Sequence, residues 1–261
     1  MTKPMMVFLA FLLYVFVYSG FIEPNTLEVV RYKIADEKMR GIRIAFLTDF
    51  HLKRHDYKRL DKIVKTTIKE KPDVVILGGD YVTRSENNSI KMNIFAQKMQ
   101  LIDAKKYAVL GEYDWYHDAE KTKEILEANN IRVLDDTSSR VVIKRRYFDI
   151  IGLSDYQTKN SNLTRAFHGT ILPRIVVTHN PDIYYNIMDN ANLILAGHTH
   201  GGQFVIPLTP PLFVPSKYGS KFAYGEIKET KNRMIISKGL GIARFPLRLK
   251  CKPEIVIIDF N

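Results

Sequence analysis

At 261 residues with 46% hydrophobic side chains, the chain is long enough to bury one sizeable core, and no interior stretch has the composition of a flexible linker. Lys and Arg number 39 against 28 acidic residues, a formal net charge of +11 that attracts anions; without a recognisable nucleic-acid module, that charge does not make nucleic acid an expected partner. A single cysteine, Cys251, excludes a disulfide within one chain and reads as a small buried side chain.

Residues 5–22 form an uncharged apolar run of 18 residues, enough for a slightly short membrane-spanning helix. A cleavable signal segment is the competing reading, since Val17-Tyr18-Ser19 is a tolerable small-residue cleavage site. The run exceeds the roughly 7–15 apolar residues of such a segment, and the only leading charge is Lys3. An uncleaved anchor over residues 1–23 and one folded domain over 24–261 are therefore expected. Arg31, Lys33, Lys38 and Arg40 follow the run, against Lys3 and the amino terminus before it, which leans toward a domain on the cytoplasmic side.

Behind this segment, strands expected at 42–48, 74–77, 107–110 and 131–134 alternate with helices at 57–70, near 88–100 and at 119–128. That rhythm predicts βαβ units with largely parallel pairing. On the 57–70 helix, Leu60, Ile63, Val64, Thr67 and Ile68 recur at helical spacing and mark the buried stripe. Lys58, Lys62, Lys65 and Lys69 line its other side, as a solvated face or as a contact for anionic headgroups. Hairpins are expected from 141–144 with 147–152, and across 224–237 around Thr230-Lys231-Asn232.

Seven potential metal donors, Asp49, His51, Asp80, Glu112, His179, His198 and His200, follow the apolar runs 42–48, 74–77, 107–110, 175–178 and 193–196. In an open α/β sheet, ligands collect at the carboxyl ends of the strands, so five segments can deliver donors to one crevice. An extended backbone would send both members of Asp49-x-His51, and both of His198-x-His200, to one side. Carboxylate and imidazole without thiolate suit Mn, Fe or Zn. Two loops, 205–225 with Pro207, Pro210, Pro211 and Pro215, and 241–253 with Arg244, Phe245, Arg248, Lys250 and Lys252, mix apolar and cationic residues in a way that suits an amphiphile. Arg84, Lys217 and Arg244 are the candidate substrate-binding cations.

In order, the donor blocks read Asp49-Phe50-His51, Gly79-Asp80, Gly111-Glu112-Tyr113-Asp114, His179 and Gly197-His198-Thr199-His200. This set resembles the calcineurin-like metallophosphoesterase family, whose blocks are D-x-H, G-D, G-N-H-D, a lone His and G-H-x-H. Glu23-Pro24, Trp115, Gly201-Gly202-Gln203, the 214–219 segment and Gly239-Leu240-Gly241 narrow the resemblance to its membrane-anchored bacterial branch. The resemblance implies an α/β fold of four layers, an αββα sandwich, behind one transmembrane helix in the bacterial inner membrane. It implies two divalent ions (Mn, Fe or Zn), with Asp49, His51 and His200 on one, Asp80 bridging, and Glu112, His179 and His198 on the second. It also implies hydrolysis of a phosphoester or pyrophosphate bond, most concretely in UDP-2,3-diacylglucosamine or a similar phosphorylated or nucleotide-linked lipid.

The third block departs twice from the family. Where the family has Asn, Glu112 brings a full charge that tightens metal binding and repels an anionic substrate. Where it has His, Tyr113 retains a hydrogen-bond donor but is a poorer proton shuttle at neutral pH; Asp114 is the residue the family uses to orient that position, and His117 is a possible substitute proton source. Tyr113 and Asp114 are thus the candidate catalytic residues. Two alternatives stay open: a metal-binding pseudo-enzyme that recognises a lipid or a protein, and a broad-specificity exported phosphodiesterase.

Overall fold

The computed structural model describes residues 2–53, 56–83, 88–158, 161–188, 190–206, 208–243 and 246–261; Arg84, Pro207, Arg244 and Phe245 lie outside them. In chain order the elements are α1 (Lys3–Val17), β1 (Glu28–Ile34), β2 (Arg43–Leu47), α2 (Tyr57–Glu70), β3 (Val74–Leu77), α3 (Asn88–Gln100), β4 (Lys105–Ala108), α4 (Glu112–His117), α5 (Ala119–Ala128), β5 (Arg132–Val133), β6 (Thr137–Ile143), β7 (Arg146–Gly152), α6 (Leu163–Phe167), β8 (Arg174–Val177), β9 (Leu193–Ala196), β10 (Gly225–Ile227), β11 (Met234–Ile236) and β12 (Glu254–Phe260). They make two six-stranded sheets, ordered β1-β12-β2-β3-β4-β5 and β10-β11-β9-β8-β7-β6.

Strand alternation builds the layers. Ile44 and Phe46 of β2, with Val74 and Ile76 of β3, face Ile150, Ile175, Val177, Leu193 and Leu195 of the second sheet and form the central core. Their neighbours Ala45, Leu47, Val75 and Leu77 face outward, where Leu60, Ile63 and Val64 of α2, Phe95 and Met99 of α3 and Leu126 of α5 cover them. Strands buried on both faces read as unbroken apolar runs, which is why these four-residue segments stood out. The second sheet's outer face is covered more thinly, by Phe167 of α6 and by Ile183, Tyr184 and Phe222 from short turns. The expected four-layer αββα sandwich is the observed one.

The three predicted helices keep their bounds, and both hairpins form. Ile68 is a correction: it lies at the margin of the α2 stripe and is exposed. The strand expected at 107–110 is β4, and it spans Lys105–Ala108, with Val109 N–H still donating to the Leu77 carbonyl at 3.0 Å. Two strands lie outside the predicted rhythm. β1 pairs parallel to β12, and β12 runs antiparallel to β2, so the chain's two ends close the first sheet together.

The apolar N-terminal helix continues past α1 as one helical run of 23 residues to Asn25, its most apolar 18-residue window has a mean hydropathy of 2.3, and it is exposed along nearly all of α1. Its last turns are different. Ser19 and Glu23 are buried. The Ser19 carbonyl accepts from the Arg248 N–H at 2.8 Å, and Glu23 accepts from the Cys251 N–H.

Candidate metal centre

The parallel strands β2, β3, β4, β8 and β9 all end at one crevice, and the seven donors follow those ends. Asp49, His51, Asp80, His179, His198 and His200 are buried; Glu112, at the start of α4, keeps 15% of its side-chain surface open. His51 Nε2 stands 3.0 Å from His200 Nε2, and His200 Nε2 stands 3.3 Å from an Asp49 oxygen. Donor atoms of these three residues all lie within 4.8 Å of one another, as do those of Asp49, Asp80 and His179. Asp80 Oδ2 is central: His51 Nε2 lies 3.4 Å from it and His179 Nε2 lies 3.3 Å from it. His198 Nδ1 is 3.3 Å from His179 Nε2, and 3.9 Å from a Glu112 oxygen.

This packing of lone pairs against lone pairs tests whether the residues suit a cation. His179 Nδ1 lies 2.8 Å from the Gly78 carbonyl and donates to it, which turns Nε2 toward Asp80 and His198. Buried nitrogens and carboxylate oxygens that converge without protons between them repel one another unless positive charge joins them. The set fits one or two first-row divalent ions.

The backbone beneath is strained in a patterned way. Asp49, His51, Asp80, His198 and His200 have φ of 55°, 42°, 56°, 70° and 50°, the left-handed region. Each costs roughly 1–2 kcal/mol for a residue with a β-carbon, somewhat less for Asp, and such strain concentrates at functional sites. The pairs Asp49-x-His51 and His198-x-His200 do reach one crevice, but through these curled loops and not through the extended backbone expected of them. Two glycines make room. A β-carbon on Gly111 would stand 2.3 Å from Asp80 Oδ1, and one on Gly239, φ +71°, would stand 2.7 Å from the Asp49 β-carbon.

Burial lowers the basicity of His51 and of His200, where His51 and the Arg248 guanidinium add to the effect. His198 is lowered to about 4 by burial and by His179. These three imidazoles are therefore neutral, the form that binds metal. Burial opposes the charge on both Asp80 and His179, but their mutual attraction prevails: it holds the Asp80 carboxyl below its usual range and keeps the proton on His179.

Around the donors, some expectations change. Asp114 spends its carboxylate on the backbone, accepting from Gly111 N at 2.9 Å, Asp80 N at 2.8 Å and Tyr81 N at 3.2 Å. It fixes the loop that carries Asp80, an arrangement that a motif reading centred on position 113 did not foresee. The Tyr113 ring stands nearly perpendicular to that of His51, centroids 4.9 Å apart, and lines the crevice. His117 stands behind it, 6.3 Å from its ring, and does not line the crevice. Lys217 is exposed and rests on Tyr156 and Tyr218, its Nζ 3.1 Å from the Tyr156 hydroxyl, and it too stands outside the crevice lining.

Arg248 was expected among the loop cations and is instead fully buried, donating to the carbonyls of Lys238, Gly239, Gly241 and Cys251. Cys251 is buried as expected, its Sγ donating to the His200 carbonyl at 3.1 Å. Asp155 went unnoticed. It is buried beyond β7, and one carboxylate oxygen caps the turn at 157–158. The strand before it reads in sequence only as half of a hairpin, so no donor is sought at its end.

The crevice opens as a cleft of about 570 Å³, floored by His51, Asp80, Glu112, His198 and His200 and walled by Phe204, Phe213, Val214, Pro215 and Leu247. An αββα sandwich with carboxylates and imidazoles gathered at its strand ends defines a metal-dependent phosphoester hydrolase. Residues 42–202 match the calcineurin-like phosphoesterase family, and the chain belongs to it. Members of that family use two divalent metal ions. Over 253 residues the chain is 28% identical to Phosphodiesterase YaeI of Escherichia coli K12, covering 94% of this chain and 92% of that protein. It is 26% identical over 240 residues to a transmembrane protein with metallophosphoesterase domain of Danio rerio, covering 85% of this chain and 54% of that one. A dimetal phosphatase of Danio rerio shares the fold, with a TM-score of 0.51 at 10% identity over 79% of this chain and 90% of its own.

Proposed function

We propose that this chain is a membrane-anchored phosphodiesterase or pyrophosphatase whose substrate carries its phosphate on an apolar tail, with UDP-2,3-diacylglucosamine the most concrete candidate. The observation that carries this reading is the cleft itself: a polar floor of metal donors beneath walls of Phe204, Phe213, Val214, Pro215 and Leu247. The phosphodiesterase name of the Escherichia coli relative supports the reaction class, and the transmembrane name of the Danio rerio relative supports the anchor. Residues 1–23 are the anchor and 24–261 the hydrolase, with Ser19 and Glu23 shared between them. The domain faces the cytoplasm from the inner membrane.

In this reading Asp49, His51 and His200 would hold one ion, Glu112, His179 and His198 would hold the second, and Asp80 would be shared by both. Divalent ions held there would supply Lewis acidity toward phosphoryl oxygens and toward a water at neutral pH. Tyr113 donates its phenolic hydrogen bond to the developing charge at the leaving oxygen. Asp114 is a positioning residue, keeping Asp80 between the two sites. Arg84 and Arg244 remain proposed substrate cations outside the described residues; Lys217 serves the substrate only by leaving Tyr156.

The test compares hydrolysis of UDP-2,3-diacylglucosamine with that of UDP-N-acetylglucosamine by the Mn-loaded full chain. A clear preference for the acylated nucleotide is expected. Equal rates on the two would remove the lipid from the reading and leave a general phosphodiesterase.

A further inference from the structure

The lip of the cleft is the one place beyond the N-terminal helix where the described residues crowd large apolar side chains into solvent. Phe204, Ile206, Leu208, Leu212 and Phe213 are all exposed within ten residues, Leu208 at 106% and Phe213 at 79%. Elsewhere on the domain, exposed apolar residues such as Ile90, Leu101, Val142 and Met188 are scattered in sequence, as is usual on a soluble surface. Clustering marks an interaction surface. Leu208 adds a second observation: its φ is +69°, so a bulky residue is held in the left-handed region with no intramolecular burial to offset the strain.

The position of the lip says what covers it. Val205 N–H donates to the Leu249 carbonyl at 2.9 Å, and Leu249 N–H donates to the Gln203 carbonyl at 2.8 Å. One residue earlier, Arg248 N–H donates to the Ser19 carbonyl at 2.8 Å, and Leu247 lies where a β-carbon on Gly20 would approach its Cδ2 to 3.5 Å. The strip 247–249 therefore joins the lip directly to the end of the apolar N-terminal helix. Where that helix leaves a bilayer, the lip meets the headgroup region, and apolar side chains of this kind settle about 5–10 Å into it.

We propose that the 204–213 lip docks on the phospholipid leaflet from which the N-terminal helix emerges, so that the cleft opens against the membrane surface. This rests on the anchor proposed above. The lip enters the acyl boundary with Leu208, Leu212 and Phe213, while the exposed Lys217 and Lys250 on the flanking segments lie at headgroup level beside lipid phosphates. A phosphate attached to a membrane lipid then reaches the donors without its tail leaving the leaflet.

The test places a fluorescent reporter in the full chain, reconstituted into phosphatidylcholine and phosphatidylglycerol vesicles with or without brominated acyl chains. Phe213→Trp reports the lip; Tyr147→Trp, exposed near the β6–β7 turn at the opposite end of the strands, is the control, and the emission of native Trp115 is subtracted from the parent chain. Emission from Phe213→Trp falls about twofold in brominated vesicles and that of Tyr147→Trp does not change. Adding Leu208→Asp, where Asp tolerates the left-handed backbone better than Leu, and Leu212→Asp to the Phe213→Trp chain, both at exposed positions, restores the emission. An unquenched Phe213→Trp in a chain that still floats with vesicles after an alkaline wash overturns the docking and leaves the anchor standing. A chain that fails to float overturns both. Unquenched emission together with a dimer in detergent assigns the lip to a second copy and overturns the proposal.

Discussion

The donor set has two halves of unlike construction. Asp49, His51 and His200 are buried below the cleft floor or at it, pressed from behind by Gly239 and Arg248 and set on left-handed loops. Glu112 and Tyr113 stand on the first turn of a short helix at the cleft, partly open to solvent. A closed half fixes geometry, since any change there meets neighbours on every side. An open half has room for a different side chain, and that is where this chain departs from its family. Asp80 belongs to both, its Oδ2 facing His51 and His179 while its Oδ1 accepts from the Tyr113 N–H at 2.9 Å.

Asp80→Ala is expected to have the largest effect, because it removes the residue common to the halves: both ions are lost and hydrolysis falls to background. Elemental analysis and a rate assay check it. Retention of both ions would break the division at its centre, as would a greater loss of metal from Asp49→Ala.

Tyr113→Phe comes next, lowering turnover by about 10²–10³ with metal content unchanged, if the phenolic hydrogen bond points at developing charge. Wild-type turnover in this variant would make Tyr113 a bystander of the open half. Gly239→Ala probes the closed half from behind: the added carbon meets Asp49 and the φ of +71° disfavours it, for a loss of about 1–3 kcal/mol in a denaturation experiment.

Glu112→Gln removes one charge beside the second ion, weakening that ion about tenfold in a metal titration and leaving the first unaffected. Equal weakening of both would show the halves to be electrostatically one. The smallest effect is one of pH. In the metal-free protein His179 keeps a proton that an ion must displace, so ion affinity falls as pH is lowered and protons are released on loading; calorimetry in buffers of different ionisation enthalpy detects this.

Most of the first sheet and the convergence of the seven candidate donors on one crevice were legible because short apolar runs ended in Asp, Glu or His, and burial on both faces leaves such runs unbroken. β1 and β12 were not, since each pairs with a strand from the far end of the chain and neither is followed by a helix that would complete the alternation. The seven donors were placed by type and order, but their curled backbone has no signature in side-chain spacing. Arg248 and Lys217 show the same limit from the other side: a cation in a loop looks like a ligand for anions until one sees it spent on carbonyls or laid across tyrosine rings.

The left-handed loops also constrain how this site drifts under mutation. At Asp49, His51, Asp80, His198 and His200 a replacement must tolerate positive φ, so Asn and Gly are accessible and the β-branched residues are not. A lineage that lost function at these positions would leave a trail of Asn and Gly. Positions 112 and 113, on ordinary right-handed helix, face no such filter and accept almost any side chain the cleft admits. Novelty in this scaffold therefore enters through the third block first, and the pairing of Glu112 with Tyr113 is the kind of change its backbone permits most freely.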